Sequence, residues 1–197
     1  MNKKALVAVL GVTAAAFAFP AAAQNLSAVY IGGGIGQSKA KDGCSGVSGP
    51  GVSCDDKDTS FRLFGGYQFT PNISAELGYA DHGKAKLSGP GGTDELAATA
   101  WDLSGIFQWP FSNTGFSVFG RLGLYVGKVE LSGPDHGDKT SSNVTFGLGA
   151  GYDFNRNIGV RAEWQRYSKM KARNDATGVE DEGDVDALSI GVLYRFQ

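Results

Sequence analysis

The stretch GYQFTPNISAELGYADHG, residues 66–83, alternates large apolar residues with small or polar ones on both sides of a Thr-Pro-Asn turn. Tyr67 and Phe69 precede the turn, and Ile73, Ala75, Leu77 and Tyr79 follow it. Gln68, Ser74, Glu76 and Gly78 occupy the positions between them. A period of two places each set on its own face of a β-strand, so the segment reads as a hairpin with one greasy and one polar face. Which face meets water decides the fold.

The same alternation recurs in eight segments, roughly Ser27–Ser38, Thr59–Phe69, Ile73–Ala80, Leu96–Trp109, Phe116–Glu130, Ser142–Phe154, Ile158–Ser168 and Val185–Phe196. Several have the length of about ten residues that crosses a membrane at a tilt. Short connections (Thr70-Pro71-Asn72, Pro110–Gly115, Asn155-Arg156-Asn157) alternate with long polar ones. A soluble antiparallel sandwich shares the alternation, but two features oppose it. One face carries most of the bulk: Phe61, Leu63, Gly65, Tyr67 and Phe69 oppose Arg62, Phe64, Gly66 and Gln68, and Trp101, Leu103, Phe107 and Trp109 oppose Asp102, Ser104, Ile106 and Gln108. The glycine-rich polar faces suit a narrow interior better than a wet surface. The aromatics, moreover, gather at strand ends. Tyr67, Phe69, Trp109, Phe111, Tyr152, Phe154, Tyr194 and Phe196 lie beside the short turns or the C-terminus, as an interfacial girdle does, and Tyr79, Trp101 and Trp164 supply an opposite one. The greasy face therefore points at lipid and Glu76 points inward. The expected fold is all-β, an eight-stranded antiparallel up-and-down transmembrane β-barrel with short periplasmic turns and long extracellular loops. Closure removes every strand edge from hydrocarbon.

The rest of the chain fits an exported protein. Lys3 and Lys4 precede an apolar run from Ala5 to Phe19, and Ala21-Ala22-Ala23 stands before Gln24. That pattern predicts a signal peptide over residues 1–23, with the barrel domain over 24–197. A formal net charge of −2 gives no footprint for nucleic acid. The 30 glycines are spread through alternating segments, which argues for close-packed β-structure instead of disorder. Cys44 and Cys54, the only cysteines, sit in a polar glycine-rich loop and are expected to pair in an oxidising compartment. Closing so short a loop stabilises by about 3 kcal/mol. Two thiolates without nearby histidines make a poor metal site, and neither a metal nor a cofactor is expected.

Eight strands leave an interior just wide enough for side chains to fill. On this register it holds Arg62, Arg121 and Arg161 against Glu76, Asp102 and Glu163, three charges of each sign, which fits a paired network that plugs the barrel.

The stretches FGGYQFTPNISAELGYADHG, WPF…FGRLG, NIGVRAEWQRY and ALSIGVLYRFQ resemble the OmpA-like transmembrane domain, and more loosely the small OmpX/Ail and opacity-type barrels. The resemblance runs over most of the chain after residue 23. It implies a Gram-negative outer membrane, long loops outside the cell, and lipopolysaccharide and the barrel assembly machinery as partners, with the protein a monomer. It also implies an interior salt-bridge network able to gate a narrow pore, in which Glu76 and Arg161 match a glutamate and an arginine, and Arg121 a further arginine. Where that pattern can carry an interior lysine and glutamate, this chain has Ile106 and Gly151, so Glu76 lacks the alternative partner a switch needs. No periplasmic peptidoglycan-binding domain is read in these residues, which takes anchoring to the cell wall off the expected roles. Gly191, Tyr194 and Phe196 look like the signal read by the assembly machinery, one residue short of the terminus.

Few residues suggest catalysis. Asp81-His82-Gly83 and Asp135-His136-Gly137 each place an acid beside a histidine, in or beside predicted outer loops, and LSGP recurs near both. Such a pair can act as base and orienter, but no serine stands at a spacing that makes it a nucleophile, and the repeat reads better as turn chemistry. GGGIG at Gly32–Gly36 lacks the spacing and following helix of a phosphate loop. The last loop is basic first and acidic later, and Arg166, Lys169, Lys171 and Arg173 are candidates for lipopolysaccharide phosphates. The expected function is a non-enzymatic barrel that supports envelope integrity and presents loops for an unidentified surface ligand. A narrow ion pore is the first alternative, and a lipid A-modifying enzyme using His82 or His136 the second.

Overall fold

The computed structural model describes residues 28–41, 53–89, 92–112, 114–132, 137–173 and 180–196. Nine strands occupy them: β1 Ala28–Ala40, β2 Ser53–Asp55, β3 Lys57–Gln68, β4 Ile73–Gly89, β5 Gly92–Pro110, β6 Phe116–Ser132, β7 Gly137–Asp153, β8 Ile158–Arg173 and β9 Glu180–Phe196. The eight long strands pair antiparallel with their neighbours in sequence, β1 pairs with β9, and β4–β5 pairing completes the ring. The result is a closed up-and-down barrel. Among the described residues, the short β2 pairs with the far end of β4.

The two faces sort as the alternation demands. Leu103, Leu122, Leu124, Leu148, Leu188 and Ile190 are all more than 60 % exposed on the outer wall. A continuous apolar band of this extent has no place in water. Aromatic pairs bound it. Tyr67–Phe69, Phe116–Tyr152, Tyr152–Phe154 and Tyr194–Phe196 have ring centroids 4.6–5.1 Å apart at the short-turn end. Tyr79–Trp101 at 5.0 Å and Phe146–Trp164 at 5.9 Å mark the other edge. Trp101 and Trp109 are eight residues apart on β5. At about 3.3 Å per residue and a tilt of about 40° that is roughly 20 Å along the membrane normal, close to the apolar height of such barrels.

The strands run further than the alternation marks. β4 continues from Ala80 to Gly89 and closes a tight connection to β5 through Gly89↔Gly92; β6 and β7 pair up to Leu131↔Gly137; β8 and β9 pair up to Arg173↔Glu180. Beyond Tyr79 and Trp101 the outward face carries Asp81, Lys84, Lys86, Glu95 and Lys128. Charged residues outside and small apolar ones such as Ala80, Ala98 and Ala100 inside remove the greasy-out signal, while backbone pairing needs none. Much of what reads as outer loop is therefore ladder standing above the lipid. A bulge between Asp81 and Lys84 interrupts β4 there, with Gly83 at φ 69°, where glycine suffers no Cβ clash.

Candidate functional site

Six charged side chains converge in the middle of the barrel, on the inward phase of five strands. β3 supplies Arg62, β4 Glu76, β5 Asp102, β6 Arg121, and β8 both Arg161 and Glu163. Glu76 is the hub. It accepts Arg62 Nη1 at 2.8 Å, Arg161 Nη1 and Nη2 at 2.7 and 3.0 Å, Arg121 Nη2, and the Tyr30 hydroxyl at 3.2 Å. Arg62 forks, giving its other nitrogen to both oxygens of Asp102 at 2.9 and 3.0 Å. Asp102 also accepts the hydroxyls of Ser104 at 3.0 Å and Tyr167 at 3.3 Å. Arg121 donates to Gln165 at 2.8 Å and faces Glu163 with Nε 2.9 Å from Oε1, a charge contact without hydrogen-bond alignment. Glu76 and Asp102 are each 1 % exposed.

The sequence builds this layer by spacing. In register, Glu76 stands opposite Ser104 and Gly78 opposite Asp102, so small residues flank the carboxylates and make room for guanidinium groups. Gly78 leaves that room: a methyl there would meet the Arg62 guanidinium and stand 2.7 Å from Asp102 Oδ2, so the paired layer would have to shift. Arg161 sits over Phe64, its Cζ 3.6 Å from the ring centroid. Three charges of each sign sum to zero, the condition under which buried ions are tolerated.

The layer has different surroundings on its two sides. Towards the long hairpins, Ala80, Ala100, Tyr125, Val129, Tyr167, Met170 and Val185 pack into an apolar cluster. Towards the short turns lies a space of about 30 Å³, lined by Tyr30, Ser74, Ile106, Phe119, Gly151 and Arg161 among others. Ile106 and Gly151 thus sit one step below Glu76 and bring no second ion to it.

The remaining candidates scatter. Tyr194 and Phe196 lie on the outer wall at the short-turn end, and Gly191 pairs inside β9 with Gly34 and Arg161. Arg166 is bound by Asp186 at 2.6 and 2.7 Å and approaches Asp184 at 3.7 Å. Lys171 stands opposite Glu182 and Arg173 opposite Glu180, while the backbone N–H of Lys169 donates to Asp184 at 3.1 Å. The basic half of the last loop is thus laid against its acidic half across one ladder. Cys54 is on β2, opposite Leu87; Cys44, like the expected signal peptide and His136, lies outside the described residues. His82 needs correction: it stands in β4 with its side chain inside the barrel, 4 % exposed, and not in an outer loop. Asp81 is no orienter for it, since its carboxylate accepts the N–H of Gly83 and neither ring nitrogen of His82 has a partner.

A family model described as the outer membrane protein beta-barrel domain matches residues 5–196. The chain belongs to the outer-membrane β-barrel family. Its similar relatives carry the same address: Outer membrane protein A of Klebsiella aerogenes is 29 % identical over 200 residues, covering 98 % of this chain and 55 % of the relative. Outer membrane protein P5 of Haemophilus influenzae is 25 % identical over 224 residues, covering 100 % and 61 %. The chain thus spans just over half the length of these relatives. Among solved structures, Neisserial surface protein A superposes with a TM-score of 0.62 at 16 % identity, covering 85 % of this chain and 97 % of the other. The N-terminal barrel of Pseudomonas aeruginosa OprF gives 0.55 at 15 %, covering 86 % and 97 %. This outer-membrane barrel sits in the outer membrane as an OmpA-like member of its family, and its relatives are named as outer-membrane proteins.

Four members of the interior layer escape a search for charges: Tyr30, Ser104, Gln165 and Tyr167. Their signal is phase. Tyr30 falls between the lipid-facing Val29 and Ile31, and Tyr167 shares the period of Arg161, Glu163 and Gln165.

Proposed function

We propose that this barrel is a non-enzymatic, internally plugged outer-membrane protein that stiffens the envelope and carries outer hairpins for contact with the cell's surroundings. The observation that carries this reading is the interior. Its charges are mutually paired, with an apolar cluster above them and room for about one water below. A pore needs a continuous wet path, and a hydrolase needs an activated nucleophile; the paired layer favours neither. Surface work then falls to the hairpins above Tyr79 and Trp101, which vary at no cost to the lipid band. In the same reading residues 1–23 direct export and are removed, Cys44 and Cys54 staple the first outer connection, and Gly191, Tyr194 and Phe196 address the assembly machinery. Lipopolysaccharide contact is left to whatever charge the β8–β9 hairpin does not satisfy within itself.

Conductance in planar bilayers tests the plug. Wild-type protein, refolded with its disulfide state controlled and shown to be inserted, is expected to pass no discrete current. Reproducible small channels that change with Glu76→Ala would replace this reading with the narrow pore. Exchanging the outer hairpins should alter surface phenotypes, whereas lumen substitutions should not.

A further inference from the structure

His82 is a titratable side chain inside the barrel that takes no hydrogen bond from the paired layer. His82 lies three residues beyond Tyr79, outside the lipid band, buried and with both Nδ1 and Nε2 lacking a partner. A buried polar group left unpaired in a native fold requires a reason. The backbone carbonyl of His82 accepts the Ser38 hydroxyl, and its ring stands edge-on to Tyr167 with centroids 4.6 Å apart. The charged and titratable groups around it are Arg62 on β3, Asp102 on β5 and Tyr167 on β8, with Asp81 beside it on β4; Asp58 of β3 meets the following residue, Gly83.

Tyr167 is the point where two structures meet. It is fully buried, its hydroxyl is 3.3 Å from Asp102, and its ring is 5.2 Å from Tyr125. It is also the last residue of β8 in register with β7. Their ladder runs from Asp153↔Gly159 to Thr145↔Tyr167 and stops, although β7 continues to Gly137 beside β6 and β8 continues to Arg173 beside β9. Among the described residues, 137–144 and 170–173 are therefore laddered on one side only. A bulge between Tyr167 and Met170, with Lys169 at φ 54°, turns β8 away. Side chains hold this part of β8 instead: the Tyr125 hydroxyl of β6 donates to the Ser168 carbonyl at 2.7 Å, and across the seam the Lys171 N–H donates to Ser141 Oγ of β7 at 3.2 Å.

We propose that His82 and Tyr167 form a proton-operated latch on this β7–β8 seam. Neutral His82 packs against Tyr167, and the tyrosine holds Asp102 while closing the end of the ladder. A proton taken from outside makes both ring nitrogens donors. The imidazolium then draws on Asp102, the acceptor already shared with Tyr167 and Arg62; Tyr167 loses its carboxylate and the seam above it loosens. Burial pushes the His82 imidazole down to about 4, so the latch is shut at neutral pH. In the loosened state the ring is hydrated and regains a pKa near 6.5. Because the loosened state binds the proton more tightly, opening grows as pH falls below about 6.5 and levels off near 4, a rise on the order of a hundredfold. The latch goes beyond the plugged-barrel reading and needs no current through the lumen.

Hydrogen exchange of the full chain refolded in lipid nanodiscs, corrected for the intrinsic pH dependence of amide exchange, tests it. Peptides covering 137–145 and 167–173 are compared at pH 7 and pH 4, with peptides from the lipid band as internal standards. Wild-type protection in the seam should fall on the order of a hundredfold, and His82→Asn should hold it within about threefold; His82→Phe serves if the asparagine variant does not fold. A seam unchanged at pH 4 in wild type overturns the latch. So does an equal loss in the His82 variants, which would assign the effect to carboxylates.

Discussion

Glu76→Gln removes the one charge on which three arginines converge, and its cost is set by the geometry around it. Arg62, Arg121 and Arg161 all donate to this carboxylate, which is 1 % exposed. Each charge pair at about 4 Å contributes roughly 4 kcal/mol at an effective dielectric of 20, opposed by several kcal/mol for desolvating each ion. Glutamine keeps an acceptor and the volume but leaves the interior with three positive and two negative charges. Removing one partner of a buried network costs about 3–5 kcal/mol. With a urea slope of about 2–3 kcal/mol per M, the unfolding midpoint should fall by roughly 1–2.5 M. The informative comparison is Glu76→Gln with Arg161→Met, which restores balance at two and two and lets the methionine rest on Phe64 where the guanidinium lay. The double variant should recover at least half of the single variant's loss. Urea titration of vesicle-inserted protein, read by tryptophan emission, measures both. A Glu76→Gln midpoint within about 0.3 M of wild type would refute the dry, paired interior. A double variant no better than the sum of its singles would refute charge balance as its organising rule.

Two further substitutions test the outer wall and the inner packing. Leu122 lies opposite Gly105, midway between Trp101 and Trp109, and is 68 % exposed to lipid, so Leu122→Arg should cost about 2–4 kcal/mol while Thr140→Arg, above the Trp101 level, should cost about 0–1; folded fractions in urea distinguish them, and equal costs would misplace the band. Gly78→Ala pushes a methyl into Arg62 and Asp102 and should lose about 1–3 kcal/mol, whereas Gly105→Ala on the outer wall, with nothing closer than 3.8 Å, should stay within about 0.5; the same titration reads both.

The hairpin at residues 66–83 shows how far sequence alone reaches. Lipid on one face and a packed interior on the other impose opposite chemistry at successive residues, and a period of two records that chemistry wherever one face is apolar. Tyr67, Phe69, Ile73, Leu77 and Tyr79 on one phase, and Glu76 on the other, were legible for this reason, as were the barrel, its girdles and the sign balance of its lumen. Above Tyr79 the outward face turns from apolar to charged (Asp81, Lys84, Lys86) while the inward one holds small residues such as Ala80 and Ala85, so the greasy-out contrast that marks the lipid band is lost, and the continuation of β4 to Gly89 is fixed by backbone pairing. The interior partners were decided in three dimensions as well. That Glu76 meets arginines from β3, β6 and β8 at once, that Tyr30 and Tyr167 cap the carboxylates, and that the bases of the last loop lie against its own acids all depend on register and closure. His82 is the sharpest case. In sequence it sits beside an aspartate in a polar run; it keeps the inward phase of Glu76, Gly78 and Ala80, but only the continuation of β4 past Ala80 and the ring of neighbouring strands show this and set it against Tyr167.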